Sequence, residues 1–244
     1  MAIGEQVSSR RSERQREGGL GRGARRGYKA RVSDDPGSMA QAERLLRGLK
    51  EAGAAPLELV ESLAELARGG AEAALLEALQ SNEGDRRLAA ALALARAGLA
   101  GADTSDAVST DAVSTGEQVQ RALLAGLADT RSDRRWAAAV ELAGLLASVP
   151  AALQLLNALS REGSPLERRM AFYCMARAGA GEETVLLDGL ADQESLVVLA
   201  ALSALVRLAG ISDGALASLE RLADEHGDSG VRRTASEYVR RLNR

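Results

Sequence analysis

The stretch LLEALQSNEGDRRLAAALALARAG, residues 75–98, reads as two helices folded back on one another. Leu75, Leu76 and Leu79 recur at helical spacing, Ser81 to Asp85 is a polar turn, Arg86 and Arg87 follow, and Leu88, Leu92, Ala95 and Leu99 then mark a second apolar stripe. The same cassette recurs at 119–147, 153–179 and 216–242, with a weaker copy at 185–210. A helix pair repeated at intervals of roughly three dozen residues cannot bury its apolar face alone and must stack on its neighbours. The predicted fold class is all-α: a right-handed α-solenoid of stacked antiparallel helix pairs across residues 39–244, with a disordered N-terminal arm.

Composition agrees with such a stack. Hydrophobic residues make up 46% of the 244 and aromatic residues only 2%, so Ala, Leu and Val must build the core. Small side chains let helices approach closely while Leu fills the grooves. Apolar residues recur at three and four, seldom at two, which predicts no sheet. The second helices should bury Trp136, Val140, Ala143 and Ala147, then Leu199, Leu202, Val206 and Ala209, then Val231, Ala235, Tyr238 and Leu242. Gly98, Gly179 and Gly210 follow Ala-rich ends and are expected to stop helices in the left-handed conformation. Pro56 is placed near a helix start.

Residues 1–38 hold nine Arg or Lys against five Asp or Glu, a net +4, and lack apolar periodicity. The whole chain carries −3, which leaves −7 on the rest. Two readings of residues 1–38 stand open, a basic arm or a segment ahead of a translation start at Met39. Residues 101–116 contain Asp-Ala-Val-Ser-Thr twice in tandem, at 106–110 and 111–115, which predicts a flexible insertion between repeats. The longest mostly apolar run, Leu196 to Val206, is too short to span a bilayer, and the N-terminus lacks the apolar run of a signal peptide. With a single cysteine, the chain has no intramolecular disulfide and reads as cytoplasmic, with no membrane partner.

The residues that carry chemistry are few. Cys174 lies in a cluster of large soft side chains with no histidine nearby in sequence, so it reads as a buried small hydrophobe. His226, the sole histidine, precedes Gly227 at an expected helix C-terminus, where a cationic imidazole suits the dipole. One Cys and one His do not assemble a nucleophilic triad or a zinc site, so no catalytic residue, metal or cofactor is assigned. The acidic pairs Glu182-Glu183 and Asp224-Glu225 read as solvated turns, and the Gly-rich run from Gly18 to Gly23 lacks the strand and helix that a phosphate loop needs.

The order of an acid near the turn, Arg soon after and small residues behind it resembles the HEAT-repeat family. The matching stretches are Asp85-Arg86-Arg87-Leu88-Ala89-Ala90, Asp133-Arg134-Arg135-Trp136-Ala137-Ala138, Glu167-Arg168-Arg169-Met170-Ala171 and Asp228-Ser229-Gly230-Val231-Arg232-Arg233. The resemblance covers nearly everything after residue 54, although Glu194 to Gly210 lacks the Arg and the first pair lacks the motif. It implies a concave wall suited to an extended peptide or a partner's helix, hence a non-enzymatic scaffold or adaptor with another protein as partner. Two alternatives stand beside it: nucleic-acid binding through the arm and the Arg pairs, and a lyase or chaperone similar to the HEAT-like bilin lyases.

A cation in the first turn of a helix opposes the macrodipole. The ladder reading offsets it by letting Asp85, Asp133, Glu167 and Asp228 cap their helices and pair with Arg along the stack. The partner-binding reading turns one Arg of each pair outward, making Arg87, Arg135, Arg169 and Arg233, with Trp136, the candidate contacts.

Overall fold

Each cassette forms a pair of helices joined by a short turn in the computed structural model, which describes residues 35–52, 57–99, 115–146 and 149–243. The first helices of the pairs are α1 (Pro36–Ala52), α3 (Glu72–Leu79), α5 (Thr115–Gly126), α7 (Pro150–Glu162), α9 (Glu183–Leu190) and α11 (Asp213–Glu225). The second helices are α2 (Leu57–Leu66), α4 (Gly84–Arg96), α6 (Ser132–Leu145), α8 (Pro165–Ala178), α10 (Ser195–Leu205) and α12 (Ser229–Leu242). Second helices pack in an unbroken row from α2 to α12. First helices pack as α1 on α3 on α5 and as α7 on α9 on α11. All described residues belong to one unit, Val32–Arg244.

The core is the seam between these two rows. It is one apolar cluster running from Ala42 to Ala235, and its character follows from composition. Ala89 to Ala91, Ala138, Ala139, Ala200 and Ala201 are buried where neighbouring helices touch, with Leu75, Leu94, Leu123, Leu142, Leu156 and Leu186 in the gaps. Two tightly packed glycines sit in matching frames, Leu123-Leu124-Ala125-Gly126-Leu127-Ala128-Asp129 and Leu186-Leu187-Asp188-Gly189-Leu190-Ala191-Asp192. A Cβ on Gly126 would lie 2.7 Å from Leu88 Cδ1 and 3.0 Å from Ala138 Cβ, so a side chain there would hold three helices apart.

Several sequence expectations change in the structure. The apolar stripe of α6 follows the one starting at Trp136 only in part: Ala143 is buried as expected, together with Ala138, Ala139, Leu142 and Leu145, whereas Trp136 is 46% exposed. Ala-rich helices give periodicity little contrast, because Ala fits both a seam and a surface. Leu242 and Ala209 also lie outward. Gly98 (φ 77°) and Gly179 (φ 62°) are left-handed, as expected, but Gly210 is not; α10 already ends at Leu205, five residues earlier. Gly70 (φ 103°) instead bends the chain between α2 and α3 through the π-type turn Ala67–Ala71, with no polar turn. Helix α1 begins at Pro36 rather than after residue 38, and the Asp35 carboxylate accepts the Ser38 N–H at 2.8 Å. Residues 1–34, Pro56, Ala147 and the tandem repeat to Ser114 lie outside the described residues; Thr115 and Gly116, the end of the expected insertion, open α5.

Candidate functional site

The Arg pairs resolve into two roles. One Arg of each motif turns back over its own turn: Nη1 donates from Arg87 to Ser81 O at 2.7 Å, from Arg135 to Asp129 O at 2.6 Å, from Arg168 to Gly163 O at 2.9 Å and from Arg232 to His226 O at 2.5 Å. Each guanidinium therefore sits at the carbonyl end of the preceding antiparallel helix, where a cation is favourable. This is what offsets its unfavourable place in the first turn of its own helix. The weak cassette at 185–210 has Val198 in the corresponding place.

A second set of charges ties consecutive pairs together. Asp85 on α4 accepts from Arg131 Nη2 at 2.8 Å and from Arg134 Nη1, and Arg134 is buried at 2% exposure. Arg168 on α8 makes a two-pronged contact with Asp192 in the next turn, Nε to Oδ2 at 2.7 Å and Nη2 to Oδ1 at 2.8 Å. The hydrogen bonds from Arg131 and then Arg134 hold the Asp85 carboxyl below the ordinary aspartate range, and Arg168 does the same for Asp192. Of the other expected ladder acids, Asp228 caps α12 by accepting the Gly230 and Val231 N–H groups at 2.7 and 3.2 Å. Glu167 and Ser164 form a reciprocal capping box on α8. Asp133 is exposed within the first turn of α6. His226, just past the end of α11, accepts the Asp228 N–H at its Nδ1, 3.0 Å away.

A carboxylate whose value is lowered in the folded state stabilises that state above its unfolded value, and the gain is lost as pH falls through the folded value. The urea midpoint is therefore expected to hold from pH 7 to about 5 and to fall below about pH 4. Asp192→Asn should flatten that fall.

Arg169 and Trp136 belong to neither role. Trp136 on α6 lies against Tyr173 on α8, ring centroids 5.2 Å apart at 43°, and the Arg169 guanidinium sits 5.8 Å from the centre of the same Tyr173 ring. Two turns along the same helices, Val140, Ala143 and Gly144 of α6 and Arg177 of α8 line an open depression of about 430 Å³, together with Arg207 just beyond α10. Of the candidate contacts, then, Trp136 and Arg169 meet on one face, Arg87 and Arg135 lie over their turns, and Arg233 is exposed on α12. Sequence reading missed Tyr173, Arg177 and Arg207. Their signal was four-residue spacing: Arg169, Tyr173 and Arg177 share one stripe of α8.

Cys174, next to Tyr173, faces inward; burial leaves it no accessible surface and pushes its thiol up to about 12. Among the described residues, no group of three or more His, Cys, Asp or Glu could hold a metal ion, and no helix is long and apolar enough to cross a membrane.

No protein-family model and no curated protein matches the sequence. Solved structures do. A designed armadillo repeat protein, YIII(Dq.V1)4CPAF in complex with peptide (KR)4, is similar with TM-score 0.51 at 18% identity, over 84% of this chain and 98% of that one. Computationally designed armadillo repeat proteins for modular peptide recognition give TM-score 0.46 at 18% identity, over 83% and 98%. An archaeal HEAT-like repeats protein from Thermococcus onnurineus NA1 gives TM-score 0.39 at 14% identity, over 86% and 98%. Two rows of stacked helix pairs with one continuous seam, together with the first of these likenesses, give the chain the fold of an α-solenoid of the armadillo kind.

Proposed function

We propose that this protein is a non-enzymatic scaffold that holds another polypeptide against the outer face of its second helices. The observation that carries the reading is Trp136: the chain's single Trp is half exposed on α6 and lies against Tyr173 instead of in the seam. Exposed aromatic and Arg side chains are the types that most often anchor protein contacts. A solved structure of the same fold carries a bound peptide, (KR)4, which supports a peptide as the kind of ligand.

Photo-crosslinking tests the reading. A photoreactive residue at position 140 or 203, on second helices, is expected to trap polypeptide in cell extract, whereas one at position 155 on α7 is not. Adducts formed only from position 155, or adducts to nucleic acid alone, would overturn it.

A further inference from the structure

The outer face of the second helices changes character along the stack. Toward its start the outward cations are paired: Arg96 on α4 donates from Nη1 to Glu61 Oε1 of α2 at 2.6 Å and from Nε to Glu141 Oε1 of α6 at 2.8 Å, and Arg68 pairs with Glu65 at 2.5 Å. Over α8 and the end of α10, two cations stand apart from such pairs. Arg177 and Arg207 are exposed, flank the depression over Ala143 and Gly144, and form no ion pair among the described residues. Helix α10 carries no charged residue, and the acids of that half concentrate on the first helices, as Asp213, Glu220, Asp224 and Glu225 on α11 show. The floor of the depression is open too, since a Cβ built on Gly144 meets nothing within 4 Å.

We propose that this depression binds an acidic peptide segment in extended conformation, with a carboxylate seated between Arg177 and Arg207 and a nearby apolar side chain covering Trp136 and Tyr173. The proposal rests on the scaffold reading above and names its ligand class. Charge complementarity selects the occupant: two unanswered guanidinium groups on one recess match a carboxylate in geometry as well as sign. The polarity is opposite to that of the (KR)4 peptide. From Trp136 to Gly144 is about two turns, roughly 11 Å, which an extended chain crosses in about three residues. The recognised pattern is therefore an apolar residue and an acid about three positions apart. A duplex fits less well, because it needs a long basic track and this face offers the short cluster of Arg169, Arg177 and Arg207 on a chain of net −3.

Trp136 is a built-in reporter, as its emission comes from the site and from nowhere else in the chain. The full-length protein is titrated with three repeats of Leu-Ser-Ser-Glu, with the same peptide carrying Gln or Lys in place of Glu, and with a short DNA duplex. The Glu peptide should change the emission saturably, about tenfold or more tighter than the Gln or Lys peptides, and weaken with salt. Arg177→Glu with Arg207→Glu should lower its affinity about tenfold or more. Gly144→Leu, which fills the recess at a position with room for a side chain, should do the same while leaving the urea midpoint undiminished. If the Gln peptide binds as tightly as the Glu peptide, or if the charge reversals change nothing, the acidic specificity is wrong while the scaffold reading stands. If only DNA changes the emission and the crosslinks at positions 140 and 203 go to nucleic acid, both fall.

Discussion

Phe172→Ala is expected to lower the unfolding free energy by about 3–5 kcal/mol, one of the two largest effects of a single substitution we foresee. Phe172 is the chain's single Phe and is 1% exposed at the meeting of α8, α9 and α10. Its ring fills space that Gly189 leaves open: a Cβ on Gly189 would lie 2.4 Å from Phe172 Cζ and 2.8 Å from Ala201 Cβ. Gly189→Ala should therefore cost about 1–3 kcal/mol by overpacking, reduced by the roughly 1 kcal/mol that Ala gains over Gly in a helix. The two sites share one contact, so Phe172→Leu with Gly189→Ala should cost less than the sum of the single changes. Urea midpoints of the four proteins decide this, and strict additivity would contradict the packing described.

The second large effect is an asymmetry across one ion pair. Arg134 is almost fully buried, with Nη1 bonded to Asp85, while its Nε and Nη2 lack a hydrogen-bond partner among the described residues. Removing the acid leaves a desolvated cation whose next carboxylate, Asp129, is 3.8 Å away. Asp85→Ala should cost about 2–4 kcal/mol, below the upper end for buried pairs because Asp85 itself is partly exposed. Replacing the cation with a side chain of similar length avoids that penalty, so Arg134→Met should change stability by about 1 kcal/mol or less in either direction. Equal losses for the two variants would show that the pair holds α4 and α6 together mainly by attraction rather than by neutralising a charge that burial has isolated.

The same residues show why some features were legible in the sequence and others were not. The turn at Ser81 to Asp85 could be read locally, because its polar residues, the Arg after it and the Leu spacing on either side act within a few residues of one another. The left-handed Gly98 and Gly179 were legible for the same reason. Gly210 was not, because α10 stops after Leu205 before that glycine is reached. Trp136 was misplaced because α6 from Trp136 onward is rich in Ala and Leu, and a helix packed on several sides by small residues offers more than one acceptable apolar stripe. Gly126 and Gly189 carried a usable signal in their shared Leu-Leu-x-Gly-Leu frame, but the need for glycine there comes from side chains on other helices.

From its sequence alone this protein is an all-helical chain of repeated pairs with an Ala and Leu seam, because helix periodicity, turn chemistry and repetition are properties of short segments. Only the tertiary structure decides which Arg covers a turn, which one crosses to the next pair and which faces outward. A guanidinium finds its partner through space, as Arg134 finds Asp85 from 49 residues away, and the stacking of helices sets that distance.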